Sequence, residues 1–357
     1  MKIRIIGKRN NLGIGVHCRN FTDAVLATEW ADCVEEIDCE DQAGLVAGGE
    51  RSEPDDINIV FVSMPIQGHY RGTNIQWIVF ESTRVPPTIM STMLAADQIW
   101  VPSAWGRDVL LQNGLDPARC SVVHEGVDPQ LYYPAPPPEF EVLTYLITGK
   151  YEMRKSIVET VIAWQQEFGN DPAVQLIVKT NHFMNQEQKL QELSNWVDSM
   201  GLTNVRILWG EMSNADLIEL YQHSNIFVLP SKGEGWGLPL IEAAAMGMPI
   251  ITTWYSAHTE FLQHVQSSVI TVDYDMIPIS CEEYKFFYPT PDNNWGEWAQ
   301  PQVDSIRRAL RHAQQNYAQL KFTAMANGKI IARDFSWTAC AHKALALLQA
   351  QGLLVKK

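Results

Sequence analysis

The chain has no paired-cysteine framework. Its six cysteines, Cys18, Cys33, Cys39, Cys120, Cys281 and Cys340, are irregularly spaced with no C-x-x-C pair. They read as the reduced thiols of a cytoplasmic protein. Positive charge is also scarce: 27 Lys and Arg stand against 41 Asp and Glu, a net of −14. That excludes the basic footprint of a nucleic-acid partner and argues against electrostatic docking on anionic lipid, so no strong membrane association is expected. No apolar run reaches the ~18 residues of a membrane span. The start, Met1 to Arg9, reads as a short strand broken by charge, not a signal peptide. The nine histidines are scattered, with no H-x-x-x-H pair and no Cys/His cluster, so no metal site is expected.

What the chain does have is 46% hydrophobic and 19% charged residues, the balance of a soluble globular protein. Its 357 residues are too many for one ordinary core and suit two domains. Apolar runs at 3–6, 57–62, 75–80, 98–101 and 121–123 alternate with helical stretches. A second series follows at 142–148, 174–179, 205–209, 226–229 and 249–252. This alternation is that of parallel α/β sheets. Between the series lies Tyr133-Pro134-Ala135-Pro136-Pro137-Pro138-Glu139, too stiff for helix and too poor in donors for sheet. The expected fold is α/β: two Rossmann-like, doubly wound domains facing across a cleft, over 1–135 and 140–335, with a C-terminal helix in 336–357 capped by Ser336. Ligands of such sheets bind outside the carboxyl ends of the strands. The aromatic stretch 272–302 reads either as a substrate-contacting loop or, as aromatics more often serve, as packing under a long connection.

The most informative stretch is Ser231-Lys232-Gly233-Glu234-Gly235-Trp236-Gly237-Leu238-Pro239-Leu240-Ile241-Glu242. It follows an apolar strand, and Pro239 suits a first helical turn. Gly233, Gly235 and Gly237 allow positive φ and close approach of a ligand to the backbone. The N–H groups of Gly235, Trp236, Gly237 and Leu238, with the helix dipole, form an anion site. Glu234 and Glu242 bracket it as acceptors for hydroxyl donors. A molecule with hydroxyls on both sides of a diphosphate, a nucleotide sugar, satisfies all of these groups.

Gly149-Lys150-Tyr151-Glu152-Met153-Arg154-Lys155 places three cations at a strand end, suited to a diphosphate leaving group, although a charge run is ordinarily a solvated face. Near the start, Gly13-Ile14-Gly15 follows the first strand; the third glycine of a dinucleotide fingerprint falls on Cys18, which counts against nicotinamide. His17 is either a ligand contact or, as lone histidines more often are, structural.

These stretches resemble the retaining family-four glycosyltransferases of the GT-B fold. The resemblance rests on Glu234-x7-Glu242 within E-G-W-G-L-P-L-I-E-A, on Val101-Pro102-Ser103-Ala104-Trp105, and on Glu125-Gly126-Val127-Asp128 followed by Tyr133-Pro134. Trp298-Ala299-Gln300-Pro301 and Phe335-Ser336-Trp337 add weaker matches. In that family a basic residue and a lysine five apart hold the diphosphate, where Lys150 and Lys155 fall. The first is more often Arg and the residue after the second more often Gly, where this chain has Ser156; Arg154 can share the role. The Gly13–Gly15 loop would reach the donor from the first domain, and the last helix would cross back onto that domain. Many members carry a histidine where this chain has Glu81, so its role falls to Glu81 or to His69.

The resemblance implies a retaining, metal-independent hexosyltransferase that needs no cofactor. Its partners would be a nucleotide-sugar donor, UDP-sugar before GDP-sugar, and a sugar or glycoconjugate acceptor, in polysaccharide biosynthesis. Lys150, Lys155 and the 235–238 amides would steady the departing diphosphate. Glu234 would hold sugar hydroxyls, Glu242 the ribose, and Trp209 the base. The alternatives are a nucleotide-sugar epimerase or phosphorylase on the same fold, a catalytically silent sugar-nucleotide-binding protein, and, more distantly, a dehydrogenase.

Overall fold

A computed structural model describes residues 1–10, 13–38, 48–61, 70–136, 140–181, 187–287 and 289–355. The chain divides into two compact units, one of Met1–Gly126, Pro278–Gly296 and Asp334–Lys357, the other of Val127–Ile277 and Glu297–Arg333.

In the first unit, β1 (Ile3–Gly7), β2 (Val34–Asp38), β3 (Ile57–Val60), β4 (Thr73–Trp77), β5 (Gln98–Val101) and β6 (Cys120–Val122) form one sheet in the order β2-β1-β3-β4-β5-β6. Every pairing in it is parallel. β1 and β3 are buried along their whole length, so their mostly apolar sequences are interrupted only by Arg4 and Asn58, both themselves buried. An aromatic core forms from Phe21, Phe61, Trp77 and Trp100, with Phe21 edge-on to Trp77 at 4.8 Å and Trp77 edge-on to Trp100 at 5.2 Å. The helix Trp337–Ala350 packs on the helix Gly13–Leu26. Its start is capped by Ser336, whose Oγ accepts the Ala339 N–H at 3.1 Å. Gly126 has no room for a side chain: a β-carbon there would lie 2.6 Å from the Trp337 nitrogen. The glycine of E-G-V-D and the tryptophan of F-S-W are thus two sides of one contact.

The second unit carries β7 (Leu143–Lys150), β8 (Val174–Asn181), β9 (Val205–Trp209), β10 (Ile226–Val228), β11 (Ile250–Thr253) and β12 (Val269–Val272), again all parallel. Their order is β12-β11-β10-β7-β8-β9. Read from the other edge, this is the 3-2-1-4-5-6 order of the dinucleotide-binding fold, with its topological switch point between β7 and β10. Its core includes Tyr145 edge-on to Trp164 at 5.2 Å.

The α/β, doubly wound character expected of the chain is what each unit shows. Among the described residues of the two six-stranded sheets, the sequence reading missed β2 and β12, each a sheet edge, and it also missed the two-stranded sheet of Tyr274–Pro278 and Glu297–Pro301. β2 reads Val-Glu-Glu-Ile-Asp, because an edge strand is guarded by charge and loses its apolar signature. In the aromatic stretch, Trp295 and Trp298 are buried packing residues. Among the described residues, no helix is long and apolar enough to cross a membrane.

Candidate active site

The switch point determines what the second unit can bring together. The carboxyl end of β7 delivers Lys150, then the turn Met153–Lys155; the carboxyl end of β10 delivers Ser231 to Gly237. These are neighbouring strands, so the two motifs, about eighty residues apart in sequence, converge. Ser231 Oγ and the Lys232 N–H both donate to the Arg154 carbonyl, at 3.2 and 2.8 Å. The Arg154 guanidinium returns a bond to the Gly233 carbonyl at 2.6 Å.

Glu234 sits at the centre, only 4% exposed. Its Oε1 accepts from Lys155 Nζ at 2.7 Å and its Oε2 lies 3.0 Å from Arg154 Nη1. Burial pushes its pKa upward, but the charges of Lys155 and Arg154, with hydrogen bonds from Lys155 and Ser231, outweigh it and hold the carboxyl at about 2. Glu152 lies 3.2 Å from Arg154 Nη2 and 3.9 Å from Lys150 Nζ. Lys232, itself buried, pairs with Glu159 at 2.8 Å, and Gln300 donates to the same Glu159 oxygen at 3.0 Å. Four cations (Lys150, Arg154, Lys155, Lys232) thus face three carboxylates (Glu152, Glu159, Glu234), leaving the cluster net positive.

The helix Leu238–Ala245 starts beside this cluster. Its N-cap is Gly237 at φ 98°, with no side chain capping it and Pro239 in its first turn. Glycine is required in that left-handed conformation, and its use leaves the first N–H groups of the helix without a side-chain acceptor. Trp236 is buried and packs on Phe261 at 5.0 Å, anchoring the loop. Ser156 also lies in the left-handed region, at φ 53°, which explains why glycine suits the position after Lys155.

Glu242 occupies a different environment. Its Oε2 accepts from Tyr221 at 3.1 Å, and the Tyr221 hydroxyl also lies 2.8 Å from Thr148 Oγ1. Desolvation raises its pKa to about 7, against hydrogen bonds from Tyr221 and Tyr132 that lower it. Both tyrosines are themselves pushed upward, first by burial and then by Glu242, so they remain neutral donors. Two carboxylates eight residues apart therefore have opposite tendencies: Glu234 is a fixed anion, while Glu242 exchanges its proton near neutrality.

Trp209 ends β9 and is 42% exposed, while Lys179, buried on β8, donates to the adjoining Gly210 carbonyl at 2.5 Å. Gly13, Gly15 and Glu81 belong to the first unit. Gly13 and Gly15 lie in the first turn of the helix after β1 rather than in a loop. A β-carbon on Gly15 would meet the Asn10 carbonyl oxygen at 2.5 Å, whereas Gly13 has open space. Glu81 follows β4 and is partly exposed. His69 lies outside the described residues. His17 proves to be a core residue, edge-on to Trp77 at 4.4 Å and Phe61 at 4.8 Å, with burial driving its pKa down to about 3. Among the described residues, no three His, Cys, Asp or Glu side chains gather to hold a metal ion.

Sequence reasoning missed Lys232, Glu159, Gln300, Tyr132 and Tyr221. Lys232, inside the glycine-rich motif, and Gln300, inside Trp298–Pro301, carried a signal; the others come from elements whose contacts appear only on folding.

A doubly wound unit with cations and an uncapped helix start at its switch point has the groups that suit a phosphorylated ligand. Comparison with known proteins goes further. Residues 143–278 match the family described as glycosyl transferases group 1. The GDP-mannose:cellobiosyl-diphosphopolyprenol alpha-mannosyltransferase of Xanthomonas oryzae is 30% identical over 139 residues, covering 38% of this chain and 35% of that protein. The serotype-specific mannosyltransferase WbdA of Escherichia coli is 28% identical over 109 residues, 30% of this chain and 13% of that one. The chain thus spans about a third or less of the length of these relatives. Anabaena Alr3699/HepE, solved with UDP and glucose, superimposes with a TM-score of 0.70 at 13% identity, covering 98% of this chain and 100% of that one. The fold is that of the GT-B glycosyltransferases, as the sequence motifs implied.

Proposed function

We propose that this protein is a retaining glycosyltransferase that moves a sugar from a nucleoside-diphosphate donor to a hydroxyl of a glycan or glycoconjugate, without a metal ion. The observation that carries this reading is Glu234 held between Lys155 and Arg154 beside the uncapped start of Leu238–Ala245. The cations and the helix N–H groups stabilise the charge developing on a departing diphosphate. Glu234 stays ionised, an acceptor for sugar hydroxyls and a counter-charge to an oxocarbenium-like sugar. Because both its oxygens are engaged by cations, it suits that role better than nucleophilic attack. Retention then follows from acceptor entry on the face the diphosphate leaves, with a phosphate oxygen taking the proton. Glu242, among hydroxyl donors, is assigned the ribose, and exposed Trp209 the base.

A UDP-sugar is the first donor to test, in keeping with the ligand of the HepE structure; GDP-mannose is the second, after the activity named for the Xanthomonas relative. Purified protein is incubated with each donor and an alcohol acceptor, with and without EDTA, and the anomeric configuration of the product is read by NMR. Glu234→Ala is expected to cut turnover about 100-fold or more. Glu242→Ala is expected to raise KM for the donor more than it lowers kcat. Epimerised donor without transfer, or donor binding with neither transfer nor hydrolysis, would replace this reading with one of its alternatives.

A further inference from the structure

The carboxylate of Glu234 is aimed by Lys155 and Arg154, but its backbone is held by a different loop, the one that follows β11. The Glu234 N–H donates to Ser256 Oγ at 2.8 Å, and its carbonyl accepts from the Ala257 N–H at 3.2 Å. Two consecutive residues of one loop therefore take both main-chain groups of the central glutamate. Ser256 does this from a left-handed conformation, φ 69°, that glycine adopts without strain and a residue with a β-carbon does not. The chain carries a side chain where the backbone favours none, and its hydroxyl is engaged.

The surroundings fix how that hydroxyl is used. His258 Nε2 lies 2.7 Å from the Thr253 carbonyl oxygen, an acceptor only, so Nε2 carries the ring proton. Nδ1 is then a lone pair, 3.5 Å from Ser256 Oγ at the outer limit of a hydrogen bond. Ser256 thus turns its proton toward His258 and its lone pairs toward Glu234. Thr253 ties the same loop to the motif by donating to the Ser231 carbonyl at 2.5 Å. Ser256, His258, Thr253 and Glu234 are all at least nine-tenths buried, so water does not substitute for any of these partners.

We infer that Ser256 is a positioning residue: its hydroxyl sets the Glu234 main chain and so the direction of the Glu234 carboxylate toward the donor sugar. The inference rests on the assignment of Glu234 to the sugar side of the site. It separates Ser256 from a merely structural residue, because replacing a left-handed serine by glycine relieves strain.

The test is Ser256→Gly in the full chain, with Ser256→Ala, which keeps the strained conformation, as companion. Ser256→Gly is expected to melt no lower than the natural protein, yet to lose about tenfold in kcat with KM for the donor changed by less than about threefold. Amide hydrogen exchange at Glu234, read by NMR, is expected to accelerate about tenfold in both variants. An unchanged kcat in Ser256→Gly, or unchanged exchange at Glu234 in both variants, overturns the inference. If the natural protein transfers no sugar, the functional reading fails by itself, and the exchange measurement alone decides whether Ser256 holds Glu234.

Discussion

Glu234→Gln keeps the shape of the central side chain and removes its charge, leaving Lys155 and Arg154 buried around a neutral amide. Two routes give the cost. The carboxyl is held at about 2 against an ordinary 4.5, a difference that linkage converts to about 3 kcal/mol of folding free energy. Breaking one partner of a buried ion pair independently costs about 3–5 kcal/mol. The folded-state pKa is depressed, so this contribution is fully present above pH 4.5 and is lost as the pH falls toward 2. The stability gap between natural protein and variant should therefore be about 3 kcal/mol at pH 7 and shrink to less than half that by pH 3. Urea unfolding at both pH values measures it; with a slope of about 3 kcal/mol per molar, the pH 7 midpoint drops by roughly 1 M. Inorganic pyrophosphate supplies a replacement anion, so it should raise the variant's midpoint more than that of the natural protein. Equal midpoints at pH 7, or a gap that persists unchanged into acid, would refute the ion pair as the resting arrangement.

Glu242 behaves oppositely. Its folded pKa of about 7 lies above the ordinary 4.5, so its stabilising contribution is complete below pH 4.5 and lost as pH rises through 7. Glu242→Gln should accordingly gain stability over the natural protein between pH 6 and 8, and calorimetry with a nucleotide sugar, whose diphosphate diester does not titrate there, should find affinity rising over that interval only in the natural protein, as the ionised carboxylate accepts two hydroxyls. Lys155→Ala is expected to lose about 100-fold in kcat/KM with saturating acceptor, from the missing diphosphate contact; a change below threefold removes Lys155 from the leaving-group site. Gly15→Ala should destabilise the first unit by about 1–3 kcal/mol, since the new β-carbon meets Asn10 main chain. Gly13→Ala, in open space at a helix start, should be neutral or stabilising by up to about 1 kcal/mol; thermal melts of the pair distinguish the two glycines.

What the sequence made legible, and what it did not, divides along the distance over which each contact is made. β7, β10 and the Gly237 cap were readable because apolar runs, a glycine and a proline are local signals. The doubly wound order of each sheet was readable as alternation, but edge strand β2 was hidden by Glu35, Glu36 and Asp38. Glu234, Lys150 and Lys155 were readable as a resemblance, and Arg154 as their neighbour. Their mutual neutralisation was not, since Lys155 and Glu234 meet only because β7 and β10 are adjacent in the sheet. The roles imagined for the two motifs, cations for diphosphate and carboxylate for sugar, treated them as independent. In the folded unit each is the other's counter-ion, 2.7 Å apart, so a dianionic diphosphate entering here must exchange with or share the charge that Glu234 already supplies. That couples donor binding to the orientation of Glu234. It also gives the buried hydroxyl of Ser256 its importance: once the cations turn to the diphosphate, the main-chain bonds to the Ser256–Ala257 loop are what keep the carboxylate in place.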